Sequence, residues 1–232
     1  MVNGDKAMLF DDLKINFLGD SITEGAGASV YDNCFVKLIE KKTGALCRNY
    51  GIGGTRIAKQ VQPSEDPVYD RDFCSRIWQM EKDADIIAVF GGTNDFGHGD
   101  APIGTITDKT PDTFCGALNY LYENLINEFS NAFIFVMTPM HRADENNPRG
   151  EGKKTVDGPL LYQYVAMIKE AANRFYLPVL DLFANSGIYP ANPAHREKYT
   201  ADGLHPNDLG HKIIANMVTD FIENSIRHGI LD

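Results

Sequence analysis

Two apolar periodicities alternate along this chain. Lys14-Ile15-Asn16-Phe17-Leu18 and Leu46 to Tyr50 are strand-like. Asp85-Ile86-Ile87-Ala88-Val89-Phe90 and Ala132 to Met137 are almost wholly apolar, and Pro178-Val179-Leu180-Asp181-Leu182 is a short fifth run. Runs without polar alternation are strands buried on both faces, which implies a parallel sheet between helical layers. Between them the spacing becomes helical. Asp32 is placed to cap a helix with Phe35, Leu38 and Ile39 on one face, and Gly44 stands where a terminating glycine belongs. Phe73, Ile77 and Trp78 mark another helix. Thr110-Pro111-Asp112 is placed to open one carrying Phe114, Leu118, Leu121, Leu125 and Phe129. Leu161, Tyr164, Val165, Ile168 and Ala172 mark the next, and Leu209, Ile213, Met217, Phe221 and Ile222 stripe the last.

This alternation predicts an α/β fold, with about five parallel strands wound by right-handed crossovers. Residues 1–232 suit a single domain, with no repeat, low-complexity segment or linker. Two polar insertions, at about 141–158 and 184–201, follow the carboxyl ends of strands and are expected to overhang the ligand crevice.

Composition narrows the partners. With 22 Lys and Arg against 32 Asp and Glu, the net charge of −10 argues against nucleic acid and against an anionic membrane surface. No apolar run approaches the roughly 18–20 residues of a bilayer span. Residues 1–12 lack the basic start and apolar run of a signal peptide, so the chain as written reads as cytoplasmic, although a secreted protein without its leader looks the same. Cys34, Cys47, Cys74 and Cys115 form no CxxC pair and read as reduced, buried hydrophobes. The sequence leaves the oligomeric state open.

The chemistry gathers at strand ends. Ser21 follows the first strand, Gly54 the second and Asn94 the third, while Asp202 and His205 lie beyond the fifth. Parallel strands bring their carboxyl ends to one edge, so these positions converge. Serine is a weak nucleophile that needs an imidazole to take its proton. Asp202-Gly203-Leu204-His205 places a carboxylate where a tight turn lets it accept from Nδ1–H and leaves Nε2 for the serine. The oxyanion of acyl transfer needs donors fixed in advance, which the Ser21 and Gly54 N–H groups and the Asn94 amide can supply. Asp20 reads as part of the turn, Asp181 as a rival orienter for His205, and His98 and His141 as solvated loop residues.

Gly19-Asp20-Ser21-Ile22-Thr23, Gly54, Gly92-Thr93-Asn94-Asp95 and Asp202-Gly203-Leu204-His205 resemble, in order, the blocks of the SGNH hydrolases, also called the GDSL family. The resemblance spans nearly the whole chain. It implies a flavodoxin-like three-layer α/β/α sandwich and serine hydrolysis of esters or thioesters without a metal. The catalytic residues would be Ser21, Asp202 and His205, and the oxyanion hole Ser21, Gly54 and Asn94. Of the adjacent Gly53 and Gly54, the distance from Asn49 selects Gly54.

Other chemistries fail on spacing. Gly51-Ile52-Gly53-Gly54-Thr55-Arg56 lacks the third glycine of a dinucleotide fingerprint, and no phosphate-binding loop or HExxH is present. Thr23 stands where a nucleophile elbow requires glycine. No cofactor and no metal are therefore expected. Loops 96–109 and 141–158 are rich in Gly, Asp, Asn, His, Lys and Arg, which favours a small-molecule or carbohydrate ester with a short acyl group such as acetyl. Against this, Phe96, Ile103, Ile106, Tyr189 and Tyr199 could build an apolar patch for a thioesterase or lysophospholipase substrate. A non-catalytic binding module on the same fold is the alternative of another class.

Overall fold

The computed structural model describes Leu9, Phe10 and residues 12–229. The stretch 1–12, on which the compartment reading rests, thus lies mostly outside the described residues. In chain order the elements are β1 (Lys14–Gly19), α1 (Ser21–Glu24), α2 (Phe35–Thr43), β2 (Leu46–Gly51), α3 (Phe73–Arg76), β3 (Ile86–Phe90), α4 (Thr93–Gly97), α5 (Phe114–Glu128), β4 (Phe133–Met137), α6 (Leu161–Arg174), β5 (Val179–Leu180), α7 (Leu182–Asn185), α8 (Pro193–Tyr199) and α9 (Asp208–Arg227). Short 3-10 turns at Tyr31–Asn33, Pro67–Asp70 and Ile77–Gln79 join them. Among the described residues no helix is long and apolar enough to cross a membrane.

All strand pairs are parallel and the order is β2-β1-β3-β4-β5, the flavodoxin-like arrangement. Every residue of β3 and β4 is buried, as continuous apolar runs require. Alternate side chains serve two cores. Phe17, Ile86, Ala88, Phe90 and Phe135 pack with α2 and α9, while Leu18, Ile87, Val89 and Val136 pack with α3, α5 and α6. Register then sets the site: Gly19 pairs with Gly51 on one side and Phe90 on the other, so the segments leaving β1, β2 and β3 emerge side by side. This is the topological switch point, where the sheet order reverses.

Several local expectations are corrected. Asp32 does not cap α2; it lies in the preceding turn and pairs with Lys41, and α2 starts at Phe35 without a side-chain cap. Thr113, not Thr110-Pro111-Asp112, caps α5 by accepting from the Gly116 N–H. Trp78 is half exposed rather than core. The buried stripe of α9 runs through Gly210, His211, Ile214, Ala215, Val218 and Ile222, offset from the predicted one, and Leu209 is exposed. The insertion at 184–201 contains α8 and braces the turn before α9 instead of covering the crevice: Ala201 N–H donates to the His205 carbonyl and Gly203 N–H to Thr200 Oγ1. Gly44 does end α2, in the left-handed conformation, and all four cysteines are buried and free.

Candidate active site

β1 ends at Gly19 because Thr23 folds back over it; a Cβ there would lie 1.9 Å from Thr23 Oγ1. Asp20 then caps α1, accepting from the Ile22 N–H at 3.0 Å. Ser21 thereby becomes the first residue of a one-turn helix, where N–H groups have no intrahelical partner. Its Oγ lies 3.0 Å from His205 Nε2. His205 Nδ1 lies 2.7 Å from Asp202 Oδ2, while Asp202 Oδ1 accepts from the Leu204 and His205 N–H groups at 2.9 and 2.8 Å. One carboxylate therefore both closes the turn and faces the imidazole. Burial pushes the Asp202 carboxyl upward, but the hydrogen bonds from His205 and Leu204 outweigh it and the net shift is downward. An ionised Asp202 fixes the proton on Nδ1 and leaves the Nε2 lone pair to accept from Ser21 Oγ–H.

The predicted oxyanion donors surround the same serine. Gly54 has φ +71°, and a Cβ would fall 2.6 Å from the Tyr69 ring. Its neighbour Gly53 donates its N–H to Glu24 Oε2 at 2.9 Å, whereas the Gly54 N–H has no protein partner among the described residues. Asn94 is buried in the first turn of α4; its Nδ2 donates to the Thr55 carbonyl at 2.9 Å and retains a second N–H.

Buried charges brace these segments. Arg76 donates to the carbonyls of Tyr50 (2.6 Å) and Gly19 (3.0 Å) and to Thr55 Oγ1 (3.0 Å), tying the ends of β1 and β2 together. Burial lowers its pKa to about 10, so it stays charged. Asp95 accepts from the Ile57 and Ala58 N–H groups, each at 3.0 Å, and anchors the segment after Gly54 to α4; burial raises its carboxyl. Burial likewise raises Asp20, to about 6.

The serine opens on a cleft of about 710 Å³ lined by Gln60, Gln62, Ser64, Asp100 and Lys153 together with Ala26, Pro63 and Tyr69. Leu204 is its one large aliphatic side chain. An adjoining recess of about 570 Å³ shares Gln62, His98, Asp100 and Lys153 with it and adds Ile103, Val156 and Tyr164. The insertion at 141–158 contributes Glu151 and Lys153, as expected of a segment overhanging the crevice.

Other expectations fare differently. Asp181 caps α7 and bonds Thr138 and Lys169, so it is no partner of His205. His141 pairs with Glu145 and packs against Phe183 outside the cleft. Phe96 is fully buried, Ile103 reaches the adjoining recess, and Ile106, Tyr189 and Tyr199 line neither cavity. His98 is no solvated loop residue: it lines the cleft with Nε2 at 3.2 Å from the Gly54 carbonyl oxygen. Its place directly after α4, four residues beyond Asn94, was the available signal. His211 is buried and donates from Nε2 to the Ala26 carbonyl at 3.1 Å, holding the segment after α1.

The sequence pattern of the GDSL-like Lipase/Acylhydrolase family matches residues 17–213. Among solved structures, a protein from Lactobacillus plantarum is 29% identical, with a TM-score of 0.78 over 92% of this chain and 97% of that one. A lipase/acylhydrolase from Enterococcus faecalis is 21% identical (TM-score 0.64; 91% and 96% covered), and an acetyl xylan esterase is also 21% identical (TM-score 0.58; 90% and 100% covered). No curated protein matches.

Proposed function

This chain belongs to the GDSL-like lipase/acylhydrolase family and is a carboxylic ester hydrolase, and from that premise we propose that it removes short acyl groups, acetyl foremost, from a carbohydrate or similarly polar carrier. Ser21 is the nucleophile, His205 the general base and then acid, and Asp202 the orienter. Ser21 Oγ attacks the ester carbonyl carbon as its proton passes to His205 Nε2. The oxyanion is met by the Ser21 and Gly54 N–H groups and the Asn94 amide. That Gly53 has its N–H committed to Glu24 supports Gly54 as the donor. Protonated His205 hands its proton to the leaving alkoxide, and water repeats the sequence on the acyl-enzyme.

The observation that carries the short-acyl reading is the wall of the cleft. A long acyl chain gains about 0.8 kcal/mol per buried methylene only if apolar surface receives it. Around Ser21 the apolar side chains, Leu204, Ala26, Pro63 and the Tyr69 ring, are interspersed with amides and charges that suit a hydroxylated carrier. The likeness to an acetyl xylan esterase agrees with this reading. The thioesterase or lysophospholipase alternative is favoured by one feature, the adjoining recess with Ile103 and Val156. A p-nitrophenyl ester series from acetate to dodecanoate separates the two. Specificity constants should fall steadily beyond acetate; a maximum at octanoate or longer would reverse the assignment.

A further inference from the structure

The Ser21 and Gly54 N–H groups must meet on one oxygen, yet they come from different segments. Ser21 opens α1, which follows β1, whereas Gly54 lies in a turn that follows β2. The base of that turn is fixed: the Ile52 N–H donates to the Gly19 carbonyl at 3.2 Å, and the Ile52 carbonyl accepts from Thr55 Oγ1 at 2.7 Å. Its far side is fixed as well. Arg56 Nη1 donates to the Gly54 carbonyl at 3.1 Å, and His98 Nε2 lies 3.2 Å from the same oxygen. Between these anchors stand Gly53 and Gly54, two successive residues of the most conformationally free type. An oxyanion donor, by contrast, is effective only when it is placed beforehand.

Glu24 supplies the link to the nucleophile. It ends the one-turn helix that Ser21 begins, and its Oε2 accepts from the Gly53 N–H at 2.9 Å. Among the described residues no cation pairs with Glu24, and this is the one hydrogen bond of its carboxylate. The fit is close: a Cβ on Gly53 would fall 2.8 Å from Glu24 Oε2 and 3.8 Å from the Ser21 Cβ, so the turn lies directly against α1. Glu24 itself stands outside the lining of the cleft, so it can reach the reaction only through the backbone it holds.

We propose that Glu24 is a positioning residue: its carboxylate ties the Gly53–Gly54 turn to the helix that carries Ser21, and so holds the Gly54 N–H where the oxyanion forms. This rests on the assignment of Gly54 as an oxyanion donor. The turn needs an acceptor at this reach rather than a charge, so Gln serves in place of Glu and Ala does not. Glu24 is exposed, so in Glu24→Ala water takes up the Gly53 N–H and the fold stays intact.

Glu24→Ala and Glu24→Gln test the proposal, assayed with p-nitrophenyl acetate and with trifluoroacetone, whose carbonyl takes up Ser21 Oγ as a tetrahedral oxyanion. Loosening a donor should cost less than the ~100–1,000-fold of losing one. Glu24→Ala should lower kcat about tenfold, with KM within about twofold and Tm within about 2 °C, and should weaken trifluoroacetone by a similar factor. Glu24→Gln should keep both kcat and inhibitor affinity within about threefold of the wild type. An unchanged kcat or inhibitor affinity in Glu24→Ala overturns the proposal. So does a Glu24→Gln as slow as Glu24→Ala, which would show that the charge acts and not the tie. Failure of the underlying hydrolase assignment would read differently, as turnover persisting in Ser21→Ala.

Discussion

Replacing Asp20 by Asn removes a charge that the fold holds against its own energetics. The side chain is 2% exposed, and burial raises its carboxyl from the ordinary 3.8 to about 6 despite the opposing pull of the Ile22 N–H, His205 and Arg76. The folded protein thus binds this proton more tightly than the unfolded chain does. The resulting stability is full below about pH 3.8 and is lost as pH rises through about 6. At 1.36 kcal/mol per tenfold, the whole loss is about 3 kcal/mol, of which about 2 kcal/mol falls between pH 4.5 and 7.5. Asn keeps an oxygen to accept from the Ile22 N–H and caps helices as well as Asp does. Asp20→Asn should therefore gain about 2 kcal/mol more over the wild type at pH 7.5 than at pH 4.5. A domain of this size moves about 2–4 °C in Tm per kcal/mol, so the gap in Tm should widen by about 4–8 °C. Calorimetry at the two pH values measures it, and comparing the two cancels effects that do not titrate, such as altered packing beside Arg76. A gap equal at both would refute the claim that Asp20 carries a desolvated charge. The same variant should turn over more slowly, because the carboxylate interacts favourably with the imidazolium that His205 becomes as Ser21 loses its proton.

Ser21→Ala should reduce kcat/KM by more than about a thousandfold while leaving Tm within about 2 °C, and a serine-reactive phosphonate should add mass to the wild type alone; labelling of the variant would move the nucleophile elsewhere. Asn94→Ala should lower kcat by about 100- to 1,000-fold with little change in KM, since its free N–H meets charge that develops only in the transition state; an unchanged kcat removes it from the oxyanion hole. Asp202→Asn should cost at least about a thousandfold in kcat at neutral pH, because an amide can donate to Nδ1 and so stabilise the wrong tautomer; a loss under tenfold would show that His205 keeps its orientation without the carboxylate.

What the sequence made legible follows from the range over which each feature is decided. The five strands could be read because burial on both faces leaves uninterrupted apolar runs. Ser21, Asn94 and His205 could be read because each sits at the end of such a run or in its own short turn, and the parallel sheet does the rest. Helix caps were misplaced where several candidates stood within a few residues: Thr113, not Thr110, reaches the Gly116 N–H, and Asp32 is drawn to Lys41. The α9 stripe was offset because its buried face, packed on α2, is lined partly by Gly210, His211 and Ala215. Small residues allow close approach and a satisfied histidine tolerates burial, but neither registers as a hydrophobic period. His98 was missed for a further reason: its partners, Gly54 and Glu151, lie 44 and 53 positions away, on different segments.

The same distinction separates the reacting groups from those that hold them. Asp202 and His205 share one turn, so their geometry is local. The proposed oxyanion donors are spread over three segments that leave the sheet together, each anchored in the core by an apolar residue (Ile22, Ile57 or Phe96) but with its donor at the crevice. Backbone in that position must be fixed by hydrogen bonds, and charged side chains make the stronger ones. Arg76 spans the ends of β1 and β2, Asp95 ties the segment after β2 to α4, and Arg56 with His98 grips the Gly54 carbonyl. The raised carboxyls of Asp20 and Asp95 and the lowered pKa of Arg76 are the electrostatic consequence. On this account the buried charges around Ser21 sacrifice stability to hold the site in shape before substrate arrives, and relieving one of them should yield a more stable, slower enzyme.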